Sequence, residues 1–475
     1  MLAKRGRKRH DLVADQLEAI SPCHMNLRCL MKMTLSWSAL ALVFVLAVAA
    51  AIVALQVKDQ PKFSPIDELQ HFDYTLKAPS SGVRIGEQYG AEALEAVACR
   101  GIDWPGWEVG SPQLPECGDS RPDPGMSPEH GYNTAYLHTP VYYSATALVG
   151  EAIVRVGDVS PLTAYRVVGA VWLVAGLLLV WLALSWVHVG VWQRTAVVGL
   201  LGVSPAVVHA SAFVNPDATA LLGGGLVLVA LIRWESGHWP WWSVAAASTI
   251  AVWLKLTNAT AVGVLVVYLA IRLWQQRDRL SDAQVRARAR LRVTAASASV
   301  LVAIASVLIW RLWLGYRRLV EERDLPIYAD QRSESFPWTS LDDKLRGALT
   351  PLRDQWIPEG LPRSAVDPLG GIADVGLLVL LGLAFGFAAA KSAHRALVGG
   401  VVASMAGVGV VLMIANYVTL SRDAPVPGRY GLAILPFAAV AIAPVLSRHV
   451  LAPVLVGALG CATAAAILFG VLTSG

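Results

Sequence analysis

Ala47-Val48-Ala49-Ala50-Ala51-Ile52-Val53-Ala54-Leu55-Gln56-Val57 closes an apolar run that begins at Leu35, and Ser64-Pro65-Ile66-Asp67-Glu68-Leu69-Gln70-His71-Phe72-Asp73-Tyr74 follows soon after. The first stretch is long enough to cross a bilayer, which takes about 20 apolar residues. The second sets two adjacent carboxylates and an imidazole at the edge where that crossing ends. A membrane protein has little structural reason to concentrate acids at that depth. Chemistry on a membrane-bound substrate is one good reason.

Outward from this point the chain repeats the same alternation. Hydrophobic residues make up 55% of it and charged ones only 15%, which excludes a single soluble domain and a basic nucleic-acid-binding domain. Apolar runs of spanning length occur at about 35–57, 162–187, 195–214, 217–234, 240–254, 257–273, 293–315, 372–390, 396–418, 428–446 and 450–472. The expected fold is therefore an all-α polytopic bundle of about eleven transmembrane helices. Val141–Val156 is apolar but short, with Glu151 and Arg155 one turn apart, and is read as an interfacial or re-entrant helix.

Orientation follows from Lys and Arg in the short connections. The segment 1–34 opens with the basic run Lys4-Arg5-Gly6-Arg7-Lys8-Arg9-His10, and no clear cleavage site follows 35–57, so the first helix is read as retained with a cytoplasmic N-terminus. Arg194, Arg233, Lys391–Arg395, Arg448 and the run Arg272–Arg292 then all fall inside, the last as a topology determinant touching anionic lipid. The long loops 58–161 and 316–371 fall outside, flanking helices two to seven (162–315) and eight to eleven (372–475). The Gly-, Pro- and Trp-rich stretch from Gly82 to Asn133 reads as an ordered lid, and an exterior location makes a Cys99–Cys117 disulfide the expected state of those two thiols. The high ratio of arginine to lysine suits a GC-rich bacterial genome, and the expected location is a bacterial plasma membrane.

Ser64-Pro65 is a helix-start signal, Ser as N-cap and Pro at the first helical position. Asp67 then has two readings: closing a capping box, or acting as a general base. Glu68 and His71 are not explained by capping. Asp67 and His71 are four apart and Glu68 and His71 three apart, which gathers acid and imidazole on one helical face. Cations also fall at the same depth. Arg429, Arg422, Lys255, Arg353 and Arg166 are candidates, with snorkelling or ion pairing as the alternative for each. Asp217 in Asn215-Pro216-Asp217 either caps the next helix or positions a substrate. His130 and His138 read first as surface or packing histidines, and no Cys, His and Asp cluster has metal-ligand spacing.

Asp67-Glu68 with His71-Phe72 resembles the acidic motif of GT-C glycosyltransferases, polytopic enzymes that take sugars from polyprenyl-phosphate carriers. Protein O-mannosyltransferases have a similar pair, one residue closer to its His-Phe. Pro65, Asp67, Glu68, His71 and Tyr74 also resemble the Pro-x-Asp-Glu-x-x-His-x-x-Tyr start of the first outer loop in a related group of bacterial multi-pass membrane proteins. His138-Thr139-Pro140, Asn215-Pro216-Asp217, Lys255-Leu256-Thr257-Asn258 and Pro427-Gly428-Arg429-Tyr430 are similar to that group's outward-facing turns.

The resemblance implies a GT-C-like bundle and inverting transfer of a sugar from a polyprenyl-phosphate donor to a glycan, glycolipid or protein acceptor at the extracytoplasmic face. Asp67, Glu68 and His71 are then the catalytic candidates. Asp217, Lys255, Arg429, Tyr430, His138 and Tyr74 are the substrate-binding ones. No cofactor is fixed, and a divalent cation bridging an acid and the phosphate is compatible with it. Rival classes are a flippase or transporter of lipid-linked precursors, a polymerase using a lipid-diphosphate donor, and a non-catalytic envelope assembly protein. The scarcity of ionisable residues in mid-span argues against ion-coupled transport.

Overall fold

The computed structural model describes residues 24–326, 333, 335–354, 356–358 and 361–474. The basic run Lys4–His10 and Cys23 lie outside the described residues. The chain divides into two units, Met1–Phe44 and Val45–Gly475. In the first, the described residues are helical from His24, and Trp37, Leu40, Val43 and Phe44 are exposed. The second unit contains everything that follows.

Among the described residues the protein is all-helical, with isolated β-bridges that include Phe63–Ile102 and Gln88–Tyr132. Among the described residues nine helices are long and apolar enough to cross a membrane, and a bent pair makes ten. This is a multi-pass membrane protein. Leu312 and Val418 are each about three-quarters exposed on such apolar helices, as lipid-facing positions are.

Two of the expected spans differ in form. The run read as 195–214 is broken: Val191–Val203 and Pro205–Ala212 meet at 57°. Pro205 has no N–H to donate and its ring clashes with the preceding turn, so the helix restarts there with Pro at its first position. The run read as 240–254 is a 13-residue helix, Trp242–Leu254, about 20 Å long at 1.5 Å per residue and too short to cross alone. The expected interfacial segment is the helix Pro140–Gly157, again opened by proline. In the basic run, Arg292 is buried and paired with Glu235 through two nitrogens, each at 2.9 Å.

Two spans form the centre of the bundle. Pro216–Glu235 and Gly428–Arg448 are the most buried of all, at 72% and 83% of their apolar windows. Gly224 lets the first pass directly over the start of the second: a Cβ at this position would lie 2.0 Å from the Ala433 carbonyl oxygen. Asp217 and Arg429 sit at the beginnings of these two central segments.

The two long connections meet each other. Leu319 N–H donates to the Ile85 carbonyl at 2.9 Å, and Tyr136 Oη donates to Glu322 at 3.0 Å. The first connection is ordered by its own small core, in which Phe63, Phe72, Leu94, Val97 and Ile102 pack together. Cys99 and Cys117 are disulfide-bonded within it. Asn133 straps the connection to the helix Glu68–Lys77, donating to Gln70 O at 2.9 Å and to Asp73 Oδ2 at 2.7 Å.

Candidate active site

The helix after the first span begins at Glu68, not at Pro65. Asp67 stands at its N-cap in the left-handed region, φ 61° and ψ 8°, and its side chain makes no capping bond. The capping-box reading of Asp67 is thus corrected. Ser64 instead closes the turn: its Oγ accepts from Ile66 N–H at 3.1 Å, and its own N–H donates to Glu68 Oε2 at 2.8 Å. An aspartate holds positive φ only where its surroundings fix it, and such strain gathers at functional sites.

The two adjacent acids have opposite environments. Glu68 is fully buried; Arg166 Nε and Nη2 each reach it at 2.7 Å, and Val214 N–H donates at 3.0 Å. Arg166 also donates to the carbonyls of Gln60 and Lys62. With every oxygen engaged, Glu68 has no free lone pair in reach of a substrate, and Arg166 is a structural cation. Arg353 is likewise engaged, by Asp367 at 2.6 and 2.7 Å. Asp67 is different: its side chain is 48% exposed and meets Arg429 Nη2 at 3.1 Å.

The expected cluster of distant residues comes together around that contact. Arg429 Nε lies 3.2 Å from Asp217 Oδ2, and Asp217 Oδ1 accepts from Lys255. Asn215, not Asp217, caps this turn, its Oδ1 accepting from the Asp217 N–H at 2.9 Å. That leaves the Asp217 carboxylate to the two cations. Lys255 and Arg429 both lie over the Tyr430 ring, at 5.2 and 5.7 Å from its centroid. Burial is the main influence on the Lys255 ammonium and pulls its pKa below the ordinary lysine value; the Asp217 carboxylate opposes it. Gly428 is required by close approach, since a Cβ there would stand 2.3 Å from the Thr350 carbonyl oxygen.

His71 and His138 lie beside this cluster, their ring centroids 5.4 Å apart. Burial, then the neighbouring His138, Lys255 and Arg429, hold His71 well below the usual histidine range. His138 is held at about 3 by desolvation first and by Lys255 next. Both are therefore neutral near pH 7. His71 Nδ1 is 2.8 Å from Tyr143 Oη, and Tyr74 stacks on the Tyr143 ring at 3.9 Å. Tyr74, expected among the substrate-binding residues, is buried, and its hydroxyl donates to the His138 carbonyl at 3.4 Å.

Glu129, outside the expected set, lies near enough to Asp67 for the two charges to interact. Glu129 and His130 in the first connection both have positive φ, 60° and 54°. The Glu129 carboxyl is pushed up to about 7, by burial first and then by the charge of Asp67. Thr350, Arg353, Asp354, Arg363, Asp367 and Gly428 line a polar cavity of about 300 Å³ next to Arg429. Asp354 also approaches His209, a histidine inside an apolar span. An ionisable residue in such a run is the sequence signal that marks His209.

Among solved structures, the chain is similar to "ArnT from Cupriavidus metallidurans bound to Undecaprenyl phosphate", at 14% identity and a TM-score of 0.44. The match covers 86% of this chain and 60% of that one, so the chain spans less than two thirds of its neighbour's length. No family model and no curated protein sequence matches the chain.

Proposed function

We propose that the protein is a membrane glycosyltransferase that moves a sugar from a polyprenyl-phosphate donor to a cell-envelope acceptor at the extracytoplasmic face, with inversion. The observation that carries this reading is the half-exposed Asp67 carboxylate 3.1 Å from Arg429, itself joined through Asp217 to Lys255. A candidate base and a pair of cations suited to phosphate occupy one place. Polyprenyl phosphates are anionic lipids, and a multi-pass bundle gives them access from the membrane.

In this reading Asp67 takes the proton from an acceptor hydroxyl. The oxygen attacks the anomeric carbon as the bond from that carbon to the phosphate oxygen breaks, and the configuration inverts. The electron pair leaves with the phosphate, where Arg429 and Lys255 stabilise the added charge. The phosphate competes with Asp67 for Arg429, so donor binding frees the carboxylate for the proton. His71 and His138, both neutral, orient hydroxyls and carry no net charge into the site.

A divalent ion fits these residues poorly. Glu68 is saturated by Arg166, and Asp217 and Asp67 already face cations. Glu95, Cys99 and Cys117 form the one other grouping of metal-ligand type among the described residues, and its two sulfurs are joined in a disulfide. No step is therefore routed through a metal.

The test uses purified protein in lipid nanodiscs with polyprenyl-phosphate arabinose, mannose and glucose, and mass spectrometry of the released polyprenyl phosphate. Consumption of one donor by the wild type, abolished in Asp67→Asn, supports the reading. Consumption of a lipid-diphosphate donor instead would point to the polymerase class and overturn it.

A further inference from the structure

We propose that His209 is a positioning residue for Asp67, tying the left-handed turn to the second long connection. The proposal rests on the reading of Asp67 as the base.

Three buried side chains from three separate parts of the chain form a line that ends at that turn. Asp354 in the second connection places Oδ2 2.6 Å from His209 Nδ1. His209 Nε2 is 3.1 Å from Ser64 Oγ. Ser64 Oγ accepts from Ile66 N–H, the amide immediately before Asp67. Their relative exposures are 9%, 5% and 3%, so water does not compete for these contacts. The Asp354 contact is a close charge contact without an aligned hydrogen bond, while Ser64 Oγ and His209 Nε2 can bond with either as donor, and in both cases the serine oxygen keeps a lone pair for Ile66. The ring cannot swing away from this alignment, because Phe213 and Trp356 pack on it at 4.9 and 5.2 Å between centroids.

The order Ser64, His209, Asp354 also matches that of a nucleophile, its base and an orienting acid. The surroundings argue against that role. Ser64 is 3% exposed, its oxygen already accepts a backbone amide, and it lines neither cavity beside His209 and Asp354. What this serine oxygen touches is the backbone that sets Asp67.

Asp354 faces two ways. It contacts His209 and also lines the polar cavity of about 300 Å³ that Gly428 borders. The placement of the second connection is thereby passed to the base through His209 and Ser64. Arg429 is also held by Asp217, a contact that lies outside this line. Loss of His209 should therefore disturb the base and spare the phosphate cations.

The experiment compares wild type, His209→Ala, His209→Gln, Asp354→Asn and Asp67→Asn in nanodiscs. Hydrogen exchange of the peptide containing Ile66 and Glu68 reads the turn without reference to activity. Binding of undecaprenyl phosphate reads the cations, and kcat per folded molecule reads the base. His209→Ala should speed exchange in that peptide about tenfold or more and lower kcat about 10- to 100-fold, with KM and undecaprenyl phosphate affinity within about twofold. His209→Gln, which keeps a polar group for Ser64, should regain most of the lost kcat. Asp354→Asn keeps the shape of the side chain and should show the same pattern in weaker form. Unchanged exchange in His209→Ala and Asp354→Asn overturns the proposal, as does a kcat that falls only with the folded fraction. If exchange quickens while Asp67→Asn turns over like wild type, the base assignment fails and the hold on the turn stands.

Discussion

Asp67 Oδ2 and Arg429 Nη2 lie 3.1 Å apart although 362 positions of chain separate them. The same guanidinium lies against Asp217, Nε 3.2 Å from Oδ2, as an ion pair without an aligned hydrogen bond. A guanidinium can address two carboxylates in fixed directions, whereas an ammonium is a single point. Arg429→Lys should therefore keep the protein folded and lower turnover about 100-fold, on the scale of losing one preorganised charge donor. Steady-state transfer from a polyprenyl-phosphate sugar checks this; a Lys variant with wild-type turnover would show that the fork is not used.

Asp67 and Glu68 are neighbours in sequence and should fail differently. Asp67→Asn leaves the buried pair untouched, so melting should hardly move while turnover falls about 100-fold or more, as for removal of a general base. Glu68→Gln strands Arg166 in the interior and should destabilise by about 3–5 kcal/mol. Thermal unfolding in detergent beside the transfer assay separates the two. The reverse pattern would exchange their roles.

Lys255 and Asp217 form a pair that is only 2% exposed on either side. Removing Asp217 strands the buried Lys255 ammonium, so Asp217→Leu should destabilise by about 3 kcal/mol or more, while Lys255→Met leaves Asp217 facing Arg429 and should cost less. The double variant should recover much of that stability, giving a coupling of opposite sign to the single losses. Additive losses in the melting temperatures would contradict the pairing.

Glu129 gives the site a pH dependence of stability. Its carboxyl rises from 4.5 to about 7, because burial and then Asp67 disfavour the charged form. The folded chain thus holds this proton more tightly than the unfolded chain. The resulting stabilisation is complete below about pH 4.5 and is lost as the pH climbs to about 7, a span worth about 3 kcal/mol. Glu129→Gln should melt with the wild type near pH 4.5 and above it at pH 8. Parallel melting curves across that range would show that Glu129 does not titrate there.

The Cys99–Cys117 bridge closes a loop with a sequence separation of 18. In the chain-entropy account a loop of that size contributes about 3 kcal/mol to the segment it closes. Cys99→Ser with Cys117→Ser should speed limited proteolysis and hydrogen exchange across residues 91–118, while the membrane helices keep their protection. Equal protection with and without the bridge would assign that segment's order to its apolar core alone.

The spans were legible because each apolar run is local and long. The break at Pro205 was not legible, because it falls inside a run whose hydropathy alone passes as one crossing. The grouping of Asp67, Asp217, Lys255 and Arg429 could be read from loop orientation, since charge rules place all four at one membrane face. The split between Asp67 and Glu68 could not. It depends on Arg166, 98 positions from Glu68, and on a backbone angle at Asp67 that only glycine would have announced in sequence. Tyr74 matched a motif but is held by stacking on Tyr143, a partner no spacing rule supplies.

Gly224 carries a different lesson. It touches no proposed reactant, yet its bare α-carbon rests against the backbone just beyond Arg429. One added methyl group would wedge the two central helices apart and carry the guanidinium away from Asp67. In a survey of natural or laboratory variants, this glycine would register as a silent membrane position by chemistry and as an inactivating one by phenotype. Distance from the reacting atoms is thus a poor guide to tolerance in a bundle whose two central helices meet backbone to backbone.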